Sequence, residues 1–131
     1  MASLKAAAPR AGLVLLDANA LMTAARLRLD LARELALIAP GWRAVLPSCV
    51  ARELERLGGR RHAAAARALG GRFPPLAAEG AGDGALIKAA CAQPRRAVLT
   101  NDRELRRLLR RRGVPVVYVK GSAGLAVDGA L

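Results

Sequence analysis

The sequence predicts an α/β domain whose parallel sheet is covered by helices on both faces. Short apolar, β-branched runs recur along the chain, sequence of helical period separates each from the next, and Gly or Pro punctuates most changeovers. A chain of 131 residues has the size of one domain, and a hydrophobic share of 53% is enough to bury a core.

Residues 13–16, Leu-Val-Leu-Leu, are expected to form a fully buried strand. Helical sequence follows over 19–38, broken near Arg26. After Pro40-Gly41, residues 44–46 give a second strand closed by Pro47. Ser48 is placed to N-cap a helix to Leu57, which Gly58-Gly59 stops. An Ala-rich helix over 62–69 comes next, and residues 73–77, carrying two prolines, suit a short edge strand. Asp83 opens a helix to Ala92, residues 97–100 form a third strand, and residues 102–112 form a basic helix ended by Gly113. Residues 114–119 are the last expected strand. The domain is therefore expected over 12–121, between a flexible N-terminal tail (1–11) and a patternless C-terminal tail (122–131).

The net charge of +12 points to a polyanionic partner, with an Arg-rich compositional bias as the plain alternative. Trp42, Phe73 and Tyr118 are the only aromatics and do not recur in a pattern, which argues against a platform that stacks bases. Cys49 and Cys91 lie far apart in apolar runs without zinc-ligand spacing, and are expected to be buried thiols. No charge-free apolar run is long enough for a membrane span, and no secretion signal is evident, so a cytoplasmic protein is expected.

Sheets of this kind bind ligands in the crevice beyond the carboxyl ends of their strands. Of ten acidic residues, Asp17 ends the first strand and Asp102 sits just past the third. Asp83 begins the helix after Gly82. Glu53 lies beside the buried stripe of Val50, Leu54 and Leu57, about 60° from its centre, so it can reach inward while Glu55 points away. Four carboxylates converging at roughly 6 Å would repel by about 3 kcal/mol per pair at an effective dielectric of about 20. Such a cluster persists by taking up protons or holding a cation. Oxygen donors without His or Cys select Mg²⁺ or Mn²⁺, ions that can activate a water and stabilise the leaving oxygen of a phosphodiester. Each acid also has a structural reading. Asp83 and Asp102 would complement helix dipoles, Asn101 with Glu104 would form a capping box, Asp17 would end a strand, and Glu53 would pair with an arginine.

Taken in order, Val14-Leu-Leu-Asp17-Ala-Asn19, Leu46-Pro-Ser-Cys-Val-Ala-Arg-Glu53-Leu-Glu-Arg-Leu57, Asp83-Gly-Ala-Leu-Ile, Leu99-Thr-Asn-Asp102-Arg-Glu-Leu105 and Val114-Pro-Val-Val-Tyr-Val119 resemble a PIN-domain nuclease over residues 13–120. The Thr-Asn-Asp-Arg-Glu-Leu and Pro-Ser-Cys-Val segments are most similar to the branch that processes small-subunit ribosomal RNA, archaeal relatives included. The resemblance implies a three-layer α/β/α Rossmann-like sandwich with a mostly parallel sheet of four to five strands. It also implies RNA cleavage with Mg²⁺ or Mn²⁺, and an rRNA precursor as partner. By position, Asp17, Glu53, Asp83 and Asp102 would be the catalytic, metal-binding acids, with Asn19 and Thr100 as a supporting shell. One departure concerns metal number: that branch often has two adjacent aspartates where this chain has Asp83-Gly84.

On the last long helix, Leu105, Leu108 and Leu109 share a face opposite Arg103, Arg106, Arg107, Arg110 and Arg111, which are expected to hold an RNA backbone. Arg56, Arg60, Arg61 and Arg67 form a second candidate patch. Gly80-Ala-Gly82-Asp-Gly-Ala85 fits a dinucleotide fingerprint, but the strand before it is weak and a carboxylate at Asp83 would face a pyrophosphate. Two rival readings stay open: a non-catalytic RNA-binding assembly factor, and a toxin ribonuclease held by an antitoxin protein. A homodimer is compatible with each.

Overall fold

The first apolar run becomes the middle of the sheet. In the computed structural model, which describes residues 12–121 and 124–131, β1 (Gly12–Leu16) leads through α1 (Ala18–Arg26) and α2 (Leu31–Ile38) to β2 (Trp42–Pro47). Next come α3 (Ser48–Arg56), α4 (Ala63–Gly70), β3 (Pro75–Leu76), α5 (Gly82–Cys91), β4 (Arg96–Leu99), α6 (Arg103–Arg111), β5 (Val116–Val119) and β6 (Leu125–Asp128). The strand order is β3-β2-β1-β4-β5-β6. The first five strands pair in parallel, and β6 runs antiparallel to β5.

Right-handed crossovers, the rule for parallel strands, put α1 to α4 on one face and α5 and α6 on the other. The central strands are therefore covered twice. Val14, Leu15, Leu16, Ala97, Val98 and Leu99 are all at most 1% exposed, which is why their sequences are uniformly apolar instead of alternating. Strand order reverses between β1 and β4, and the crevice at the carboxyl ends of these two strands is where such sheets bind ligands. At the opposite ends, Gly12 is required by close approach: its φ is +152°, and a Cβ there would lie 2.0 Å from the Arg95 carbonyl oxygen.

Several expectations are corrected. The sheet has six strands among the described residues, not four to five, because part of the expected C-terminal tail is β6. The edge strand over 73–77 contracts to Pro75–Leu76, since proline cannot donate to a ladder. Ser48 does not cap α3: Pro47 holds the cap position, and the Ser48 hydroxyl accepts from Ala78 N (2.8 Å) and donates to Ala78 O (3.0 Å). Both cysteines are free; Cys49 is buried, whereas Cys91 is exposed at the end of α5. The expected tail over 1–11 lies outside the described residues. No helix among the described residues is long and apolar enough to cross a membrane.

Candidate active site

Asp17 follows β1 directly and its backbone N–H donates to Leu99 O on β4 (3.0 Å), so the residue sits in the crevice by strand pairing. It is only 8% exposed. One carboxylate oxygen, Oδ1, accepts from Ala18 N (2.8 Å) at the start of α1; the other, Oδ2, accepts from the Thr100 hydroxyl (2.6 Å). Thr100, fully buried, also accepts from Asp102 N (3.1 Å), and its hydroxyl lies 3.3 Å from Asn19 Oδ1. Asn19 Oδ1 accepts from Asn101 N as well (3.1 Å). One hydroxyl thus ties the ends of β1 and β4 together, and four of the expected site residues share a single network.

Asp102 stands at the start of the basic helix. It is the N-cap of α6, and both cap bonds, from Glu104 N (2.9 Å) and Leu105 N (3.1 Å), fall on Oδ1. The capping box expected of Asn101 is not formed. The Asn101 side chain instead pairs with the Val119 backbone, accepting from its N–H (2.8 Å) and donating to its carbonyl (2.9 Å), which fixes the loop against β5.

Glu53 and Asp83 are exposed, and they reach the site through charge. Burial lifts the Asp17 carboxyl to about 6, against the pull of its bonds from Thr100 and Ala18, and the carboxylates of Glu53 and Asp83 push it further up. Asp83 is raised too, first by partial desolvation and then by the charge of Asp102. At both Asp17 and Asp83, like charge thus adds to desolvation. Among the described residues, however, no three His, Cys, Asp or Glu side chains are grouped closely enough to hold an ion. The carboxylates repel across the crevice without closing a ligand shell.

The sequence profile described as "PIN like domain" matches residues 14–122. The chain belongs to the PIN-like domain family. A solved structure of the PIN domain endonuclease Utp24 superposes with a TM-score of 0.76 at 26% identity, covering 91% of this chain and 92% of that one. A search of curated protein sequences found no significant match. The likeness supports nuclease activity as the general class of function.

The donor chemistry of this PIN-like site suits a hard divalent cation: carboxylate oxygens only, with Asp17 and Asp83 shifted upward first by desolvation and then by neighbouring carboxylates. A side chain at Gly84 would meet nothing within 4 Å, so packing does not force the loss of a second acid there. Arg52 is a residue that sequence reasoning missed. Its guanidinium donates to Ala78 O (3.0 Å) and Gly80 O (2.8 Å), and so holds the loop that delivers Asp83. No local signal marks it, because its acceptors are backbone carbonyls 26 and 28 residues away.

The arginine face of α6 departs from expectation. Arg106 Nε and Arg110 Nε bond the two oxygens of Asp128 on β6, at 2.9 and 3.2 Å. Arg106 also stacks on Tyr118, 4.1 Å from the ring centroid. Arg107 pairs with Glu104. Of the five arginines expected to hold RNA, Arg106, Arg107 and Arg110 are thus engaged by acids, two of them because residues 125–128 form a strand instead of a tail.

Proposed function

We propose that this chain is a divalent-metal-dependent endoribonuclease that hydrolyses phosphodiester bonds in an rRNA precursor. The observation that carries the reading is the buried Asp17 carboxylate, bonded to Thr100 at the sheet's switch point and facing Glu53 and Asp83, with its proton held up to about 6. A group so placed gains from a cation, and each of its oxygens keeps a lone pair beyond the one it already uses.

Mg²⁺ or Mn²⁺, when bound, supplies an acidified water and charge neutralisation for the leaving oxygen. The chain's own residues prepare for it. Asp17 must release its proton to act as a ligand, and the Thr100 hydroxyl orients its carboxylate meanwhile. Asp102 offers Oδ2 from a helix cap that fixes its backbone. Glu53 and Asp83 add negative charge from α3 and α5 on the rim. The rRNA branch rests on the Thr100-Asn-Asp-Arg-Glu-Leu105 segment together with the likeness to Utp24.

The test is cleavage of a small-subunit rRNA precursor with Mn²⁺, beside Asp17→Asn. Cleavage by the wild type and none by the variant is expected. A wild type that binds RNA but never cuts with metal would instead be an assembly factor.

A further inference from the structure

Resting on the metal-dependent reading of the site, we infer that Arg52 is a positioning residue for Asp83. From α3, which also carries Glu53, it holds the loop that leads into Asp83, so one helix sets both rim carboxylates. The Ser48 hydroxyl takes both backbone groups of Ala78, at 2.8 and 3.0 Å. One Arg52 nitrogen, Nη2, donates to Ala78 O (3.0 Å) and also to Gly80 O (2.8 Å). Ser48 thus fixes the root of the loop, and Arg52 alone reaches its tip.

The segment has little else to hold it. β3, just before, is two residues long. Among the described residues, no backbone–backbone bond outside the helices and strands reaches residues 78–81. Ala81, the N-cap of α5, offers no side-chain cap, and Asp83 stands between Gly82 and Gly84, residues that weaken a helical turn. Residues 79–84 are all exposed, and burial resumes at Ala85 and Leu86. The first turn of α5 is therefore placed from outside, by α3.

The helix that holds the loop is itself fixed. Cys49, Val50 and Leu54 are buried along α3, and Arg67 Nη1 donates to Leu54 O (3.1 Å) and Gly58 O (3.0 Å) at its end. Arg52 and Glu53 lie about 100° apart around the helix, so one serves the loop while the other serves the crevice. Glu53 and Asp83 both act on the charge of Asp17, and their placement relative to each other passes through Arg52. Nor is this guanidinium taken up by charge pairing. Glu53 adjoins it in sequence, and Glu79 and Asp83 belong to the segment it holds, yet no ion pair among the described residues includes it. Its bonds to neutral carbonyls place the loop and leave the acids their charge.

The experiment measures Mn²⁺ binding to the full chain by electron paramagnetic resonance, without RNA. Asp83→Asn gives the contribution of that carboxylate. Arg52→Met keeps the stem and removes the donors, and is expected to weaken Mn²⁺ binding about tenfold, the lower end for a group that orients a ligand. By charge alone, losing a cation beside the acids would tighten the ion, so the sign of the effect separates position from charge. In an Asp83→Asn background, Arg52→Met should cost nothing further, because it acts through Asp83. Arg52→Lys, which keeps the charge with a shorter reach, should fall between, and serves the same test if the Met variant does not fold. Mn²⁺ held by folded Arg52 variants as tightly as by wild type, or a full second loss in the double variant, would overturn the role of Arg52 and leave the ribonuclease reading intact. A wild type that binds no Mn²⁺ would overturn both.

Discussion

Asp17 and Asp128 each accept two hydrogen bonds, and their surroundings make them opposites. Asp17 is nearly buried, bonded by a hydroxyl and a backbone amide, and faced by Glu53 and Asp83, so its carboxyl is raised to about 6. Asp128 stands at the edge of the sheet, about a third exposed, bonded by Arg106 and Arg110, and its carboxyl is held below the ordinary range. The first is a negative charge that the fold leaves unmet, and the second is one that the fold has matched. An acid shifted upward by burial and like charges marks a place for a cation, and one shifted downward by guanidinium partners marks a tether.

The largest effect should follow from removing the unmet charge. Asp17→Asn is expected to lower metal-dependent RNA cleavage by well over a hundredfold, more than loss of a supporting partner costs. Asp102→Asn should do the same while keeping the helix, because Asn caps as well as Asp. Single-turnover cleavage and circular dichroism on the same samples separate chemistry from folding. Full activity in either folded variant would break the comparison at its stronger end.

Thr100→Val sharpens it. The hydroxyl bonds Asp17 and accepts from Asp102 N at once, so its loss leaves a buried carboxylate and a backbone donor short of partners. A cost of about 1–3 kcal/mol in stability and roughly 10–100-fold in activity is expected. Because the Thr100 bond holds the Asp17 carboxyl down, the acid limb of the pH–rate profile should also move upward.

Stability against pH tests the burial of Asp17 directly. Its folded carboxyl titrates near 6 against an ordinary 3.8, so the folded state binds the proton more tightly between those values. Metal-free protein should therefore lose stability as pH rises from about 4 to about 6, by up to about 3 kcal/mol from this group, and level off above. Asp83, raised as well, acts in the same direction. Asp128 and Glu104, both lowered by arginine partners, act oppositely and only in more acid solution. Urea unfolding at several pH values, wild type against Asp17→Asn, isolates the term; parallel curves would mean that Asp17 is not desolvated.

The two regions also differ in how far the sequence revealed them. The runs that became β1, β2, β4 and β5 are legible because a strand covered on both faces needs unbroken apolar sequence, and Asp17 and Asp102 then follow as the first acidic side chains past the ends of β1 and β4. Helical periodicity places Glu53 beside the buried stripe of α3, which gives a direction but not a reach; the residue is exposed and contributes charge from a distance. Ser48, Arg52 and Asn101 were misread or missed because their partners are backbone groups brought near only by the fold. The four residues of β6, flanked by Gly124 and Gly129, are too few to show a period, and their strand depends on the edge that β5 offers. Missing β6 hid Asp128, and an arginine face without Asp128 looks free.

The smallest expected effect concerns that face. Asp128→Asn keeps the size of the side chain and removes the charge that holds Arg106 and Arg110. The arginines are themselves about a third exposed and Arg106 retains its contact with Tyr118, so solvent screens what is lost and the fold should hardly change. The consequence should appear in binding. Two guanidinium groups released to solvent can each neutralise a phosphate, so the salt slope for single-stranded RNA should steepen by up to about 1.4. Cleavage at fixed, saturating RNA should stay as it was, because neither arginine belongs to the acid network. A slope unchanged in Asp128→Asn would show that RNA phosphates do not reach this face, and would leave α6 as the clamp for β6.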